Sequence, residues 1–224
     1  MEAEQRGGTD NDMLAAVILS GGSSSRMGSP KALLAYQGRP FLEHLLEVTV
    51  HPKIGVRRVV LGAHAEAISK NIVLDPDEIV INDDWEKGQL SSIQAAIRSL
   101  PAGAGLPATG GITKDRAERG TDGLLLCLID HPLISGDLVD VLIEQFYATR
   151  AKIVLPKYEG RRGHPVIFPA ALYDELLRAP ADKGARAVVW AHAAGVLEVP
   201  TNEEGCVLNL NDPETLLRAT GRAE

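Results

Sequence analysis

The chain has 224 residues, 45% of them hydrophobic but only 4% aromatic, and a formal net charge of −7. That length fits one domain with an aliphatic core, and an acidic balance without any Lys/Arg block excludes a nucleic-acid footprint. No apolar run approaches the ~20 residues of a membrane span, so no membrane association is expected.

Residues 1–12, "MEAEQRGGTDND", are polar and lack the apolar stretch of a signal peptide. They read as a disordered tail on a cytoplasmic protein, with the domain itself running from 13 to 224. "LAAVILS" (14–20) is a short unbroken apolar run closed by glycines and predicts a buried strand. A helical stripe follows in "RPFLEHLLEVTV", then strand "VRRVVLG", a short helix "AEAISKNI", strand "DEIVIN" and helix "LSSIQAAIRSL". Residues 101–122, rich in Gly and Pro and without period, predict a mobile insertion loop.

After that loop, "GLLLCLID" (123–130) is the most hydrophobic segment and predicts a central strand. "SGDLVDVLIEQFYAT" predicts a helix capped by Ser135. "AKIVLP" predicts a strand, "GHPVIF" an extended segment, and "AALYDELLRA" and "KGARAVVWAHA" two helices. "GVLEVP" and "CVLNL" predict strands, and "PETLLRAT" a last helix with Pro213 near its start. The two cysteines, Cys127 and Cys206, lack metal-ligand spacing and read as reduced thiols.

Strands alternating with helices predict an α/β fold: a Rossmann-like, doubly wound, mostly parallel sheet in one domain. Ligands of such sheets lie at the carboxyl ends of the strands. The residues to question are therefore Ser20-Gly21-Gly22, Asn82-Asp83-Asp84, Asp130-His131-Pro132, and Asn209 with Asn211.

The stretch "LSGGSSSRMGSPK" (19–31) is the richest of these. Alone it also reads as a flexible turn. It fails the P-loop pattern, because Gly28 is followed by Ser29-Pro30, and it lacks the dinucleotide fingerprint G-x-G-x-x-G. Gly21, Gly22 and Ser23 can still turn successive backbone N–H groups onto an anion. Arg26 can fork onto phosphate oxygens and Lys31 adds a point charge, a combination suited to a nucleoside triphosphate.

"LSGGSSSRMGSPK" resembles the signature L-x-G-G-x-S-x-R-M-G-x-x-K of the molybdenum cofactor nucleotidyltransferases. "NDDWEKGQLSSIQAAI", "LIDHP", "GRRGHPVIF", "DKGAR" and "NLND" followed by Pro213 resemble further motifs of that family in the same order, over most of residues 14–220. The resemblance implies an Mg²⁺-dependent transfer of a nucleoside monophosphate from an NTP to the terminal phosphate of molybdopterin, with release of pyrophosphate. CTP is the favoured donor, because the helix and acceptor segments resemble the cytidylyl branch, although Ser20-Gly21-Gly22 and the paired asparagines lean to GTP.

Residue by residue, the resemblance implies that Arg26, Lys31 and Asp130 are catalytic, with Asp130 and Asn209 or Asn211 holding Mg²⁺. Leu19, Ser20, Gly21, Gly22, Ser23, Asn82, Gly88, Ser91 and Ser92 would bind the nucleotide. Arg161, Arg162, His164, Asp182 and Arg186 would face the acceptor; Arg161 and Arg162 also read plainly as a solvated turn. His131 is given no role. A molybdoenzyme or its chaperone is the partner implied. Two alternatives stand: a sugar-phosphate or alditol-phosphate nucleotidyltransferase, and a non-catalytic nucleotide-binding regulatory module.

Overall fold

The computed structural model describes residues 13–24, 28–101, 120–149 and 153–220. The expected tail 1–12, most of the expected loop 101–122, and Arg26 lie outside the described residues.

Strand β1 (Leu14–Ser20) is buried at all seven positions and sits inside the sheet. It pairs in parallel with β4 (Ile54–Leu61) on one side and β6 (Gly123–Leu128) on the other. β5 (Ile79–Ile81) extends the sheet beyond β4. Beyond β6 come β9 (Val166–Pro169), β7 (Ile153–Tyr158) and β10 (Val196–Pro200), giving the order β10-β7-β9-β6-β1-β4-β5. β9 runs antiparallel to both its neighbours, and the short β8 (Arg161–Arg162) forms a hairpin with β7. A two-stranded hairpin, β2 (Ala35–Tyr36) and β3 (Arg39–Pro40), stands apart; its two-residue strands carry no periodicity that a sequence reading can detect.

Alternation along β1 feeds two separate cores, as side chains of a strand point to opposite faces. Leu14 and Ile18 pack with Leu125 and Cys127 beneath α1 (Phe41–Val48), α2 (Ala65–Asn71) and α4 (Gly136–Thr149). Ala15, Val17 and Leu19 pack with Leu124, Leu126 and Leu128 beneath α3 (Gln89–Ser99), α5 (Tyr173–Arg178) and α6 (Arg186–Ala191). Each buried Leu, Ile or Val contributes roughly 1.5–3 kcal/mol. A sheet covered on both faces in this way exposes its ends, and the carboxyl end is where the loops gather.

Ser135 caps α4 as its sequence predicts, its Oγ accepting from the Leu138 N–H at 3.0 Å. Cys127 and Cys206 are both buried and unpaired with each other, and burial pushes the Cys127 thiol up to about 12. The expected strand "CVLNL" is not one. A 3₁₀ turn over Glu204–Cys206 leads into irregular chain that is tied to its surroundings by isolated bonds, among them Leu210 N–H to the Asp130 carbonyl and His164 N–H to the Cys206 carbonyl, both at 2.8 Å. Three of its residues, Cys206, Val207 and Leu210, are buried, so the apolar content is real although its period is not that of a strand. A closing helix, α7 (Pro213–Thr220), follows.

Candidate active site

At the carboxyl ends of β1 and β6 lies a cleft lined by Leu19–Gly22, Ser24, Lys31, Trp85, Gly88, Gln89, Ser92 and Leu128–Asp130. Eight of the sequence-derived candidates meet there: Leu19, Ser20, Gly21, Gly22, Lys31, Gly88, Ser92 and Asp130. Ser24, Trp85 and Gln89 belong to the lining as well and were not anticipated.

The floor is held by close backbone approach. Gly21 and Gly62 lie back to back: a Cβ on Gly62 would come 2.4 Å from the Gly21 carbonyl oxygen, and a Cβ on Gly21 would come 3.0 Å from Ser92 Oγ. The Ala63 N–H donates to the Gly21 carbonyl at 3.2 Å, and the His64 ring pairs with the Ser23 carbonyl at 2.7 Å. Ser24, at positive φ, accepts the Lys31 N–H on its Oγ at 3.1 Å, which folds the loop back so that Lys31 enters the cleft.

The charged end is formed by Lys31 and Asp130. Lys31 Nζ is 3.9 Å from Asp130 Oδ2 and donates to Asn211 Oδ1. Asp130 and Asn211 thus offer a carboxylate and an amide oxygen around one point. These are hard oxygen donors of the kind Mg²⁺ takes, with few protein contacts needed when phosphates complete the shell. The donor set therefore fits that ion. Neither asparagine lines the cleft itself: Asn211 is half-buried and reaches the charged end through Lys31, whereas Asn209 is exposed.

The opposite end is built on Asn82, just after β5. Its side chain is 5% exposed and fully engaged: Nδ2 donates to Ser91 Oγ at 2.9 Å and Ser92 Oγ at 3.0 Å, and Oδ1 accepts the Asp84 N–H at 3.1 Å. Ser91 Oγ in turn lies 2.9 Å from the Asp84 carbonyl and 2.8 Å from that of Gly88. Neither Asn82 nor Ser91 lines the cleft. Asn82 acts on it indirectly, by fixing the 3₁₀ turn Trp85–Lys87 and the start of α3. Gly88 links the two at φ 93°, a conformation open to glycine, and α3 begins there with no side-chain cap.

Behind Asp130, two histidines pack with ring centroids 5.1 Å apart: His131, which the sequence reading gave no role, and His164. Neither Nδ1 has a hydrogen-bond partner among the described residues. Burial holds His131 below its ordinary value against the raising effect of the Asp130 carboxylate. Burial, reinforced by the charge of His131, pulls His164 down to about 4. With both values lowered by burial, the two imidazoles are neutral at neutral pH.

The other acceptor candidates are more spread out. Arg186 opens α6, exposed but near enough to His164 for its charge to be felt there. Asp182 is exposed in the turn before α6. Arg161 and Arg162 lie on the exposed β8, where Arg161 reaches the Val207 carbonyl at 3.4 Å and Arg162 pairs with Glu198 at 2.7 Å. Lys157 holds the same Glu198. None of these four lines the cleft.

Residues 16–196 match the family described as the MobA-like NTP transferase domain. A probable molybdenum cofactor guanylyltransferase of Mycobacterium avium is 31% identical over 96% of this chain and 98% of its own length. A nicotine blue oxidoreductase of Paenarthrobacter nicotinovorans is 31% identical over 74% of this chain and 76% of its own. Among solved structures, Rv0371c of Mycobacterium tuberculosis superposes with a TM-score of 0.75 at 25% identity, covering 94% of this chain and 99% of that one.

Proposed function

The chain belongs to the family of MobA-like NTP transferase domains, and from that premise we propose that it joins a nucleoside monophosphate from GTP to the terminal phosphate of molybdopterin. The single observation that carries this reading is the pairing of Lys31 with Asp130 at the mouth of a glycine-floored cleft. An ammonium and a carboxylate at one end of a cleft are the groups needed to seat a triphosphate and its metal.

In the proposed reaction an oxygen of the acceptor's phosphate attacks the α-phosphorus of the NTP. A new P–O bond forms, the bond to the β-phosphate oxygen breaks, and pyrophosphate leaves. A phosphate monoester has a second pKa near ~6, so the attacking oxygen is already ionised at neutral pH. No general base is required. Catalysis then comes from positioning and charge neutralisation. The backbone amides of Gly21, Gly22 and Ser23 would cradle phosphate oxygens, and Lys31 would exchange Asp130 and Asn211 for the β- and γ-phosphates. Asp130 and Asn211 would hold Mg²⁺, which supplies further neutralisation of the phosphates when bound. Ser92, with Gly88 beside it, would meet the base, while His164 and Arg186 stand on the acceptor side.

GTP is favoured by the relatives named guanylyltransferases. CTP remains a second reading, favoured by the motif around "NDDWEKGQLSS". The test is pyrophosphate release with each of GTP, CTP, UTP and ATP, with Mg²⁺ and with or without molybdopterin. Release only with GTP and molybdopterin is the expected result. Release with a sugar phosphate instead would move the acceptor, and no release with any pair would leave the binding module or the oxidoreductase relative as the better guide.

A further inference from the structure

We propose that Trp85 is the stacking platform for the nucleobase; the inference rests on the nucleotidyltransferase reading above. The cleft is charged at the Lys31–Asp130 end and carries Trp85, Gly88, Gln89 and Ser92 at the other. Among the described residues, Trp85 is the only aromatic in the lining. The chain is poor in aromatics, and Phe41, Phe146, Phe168 and Tyr173 are spent in the core. Trp85 is half-buried and lines the cleft, so part of its indole is open to whatever the cleft holds. A planar base would cover that part.

The placement is rigid, as a platform must be. The turn that carries Trp85 is locked from below by the three hydrogen bonds of Asn82, and the Gly88 N–H closes it onto the Trp85 carbonyl at 3.0 Å. The root of the side chain is fitted to two glycines. A Cβ on Gly62 would come 2.7 Å from Trp85 Cβ, and one on Gly21 would come 3.9 Å from it. The loop that floors the phosphate end therefore touches the residue that walls the base end. Stacking on an aromatic is worth about 1–3 kcal/mol per base.

The test uses Trp190→Phe, which removes the only other tryptophan, 61% exposed on α6 and outside the cleft. In that background GTP should quench Trp85 emission, and inorganic tripolyphosphate should bind without quenching. By calorimetry on the otherwise native chain, Trp85→Ala should weaken GTP roughly tenfold or more and leave tripolyphosphate unchanged. Ala retains the Cβ that meets the glycines, and Trp85→Phe should recover most of the affinity. Unaltered emission at saturating GTP, or native GTP affinity in Trp85→Ala, overturns the inference while the reading of function stands. Failure of the native protein to bind GTP or CTP overturns both.

Discussion

Lys31 and Asp130 stand 99 positions apart in the chain, yet their charged atoms lie 3.9 Å apart across the ends of two adjacent parallel strands. The neighbouring bond from the Ile129 N–H to the Leu19 carbonyl, at 3.1 Å, ties those two strand ends together directly. Removing either charge should damage turnover without unfolding the sheet, since both side chains reach outward from it. Lys31→Met should slow pyrophosphate release about a hundredfold or more and weaken triphosphate binding, and Asp130→Asn should slow it at least as much. Thermal melts of both variants should stay near that of the native protein. Native turnover in Asp130→Asn would remove it from the chemistry.

Asn82 is the joint between β5 and α3. Asn82→Ala removes the partner of the buried Ser92 hydroxyl and of the Asp84 N–H, while Ser91 keeps its contacts to the Asp84 and Gly88 carbonyls. The expected loss is about 1–3 kcal/mol of stability, read by chemical denaturation. Nucleotide affinity should fall with it, because Trp85 and Ser92 lose their common support. A variant that is destabilised but binds nucleotide normally would show that the joint and the base pocket are independent.

Gly62 tests the floor. An alanine methyl there would meet the Gly21 carbonyl oxygen and the Trp85 Cβ, neither of which is the end of a flexible side chain. Gly62→Ala should cost about 1–3 kcal/mol and raise the KM for the nucleotide, since relief can come only by moving the loop of Gly21. An unchanged melting temperature would mean that the two loops have room to separate.

His164 sets an acid limit. Its folded pKa is about 4, against 6.5 for an ordinary histidine. Between those values the unfolded chain takes up a proton that the folded chain refuses. Stability should therefore be undiminished by this group above pH 6.5, fall as pH drops towards 4, and be lower by about 3 kcal/mol beneath it. His131, shifted in the same direction by burial, steepens the loss. His164→Asn should flatten the profile of denaturation midpoint against pH between those limits.

Most of the sheet was legible because burial on both faces leaves an unmistakable mark. "LAAVILS" predicts 14–20 and β1 spans Leu14–Ser20, while "GLLLCLID" predicts the central strand over 123–130 and β6 spans Gly123–Leu128, two residues short of Asp130. The strand-end rule then led to Lys31's loop and to Asp130. It failed at "CVLNL", where Leu210 packs with Leu216 of α7 while Cys206 and Val207 join the core under α4, and at Asn82 the amide that looks available in sequence is engaged in space by Ser91 and Ser92. Trp85 lay inside a quoted motif but carried no charge or hydroxyl to draw notice. Only the three-dimensional closeness of Gly21 and Gly62 shows why it stands where it does.

The reversed direction of β9 changes where substrate selectivity can be altered. Because β9 runs against its neighbours, the residues before it, Arg161 to Pro165, arrive at the same rim that the other strands reach at their far ends. That segment is tethered by the His164 N–H to the Cys206 carbonyl and otherwise turns back through the β7–β8 hairpin. Its tip can lengthen or change sequence with the sheet register intact. On the function proposed above, a lineage could trade one acceptor for another by remodelling a surface ribbon, with the residues proposed for the triphosphate on β1 and β6 left as inherited.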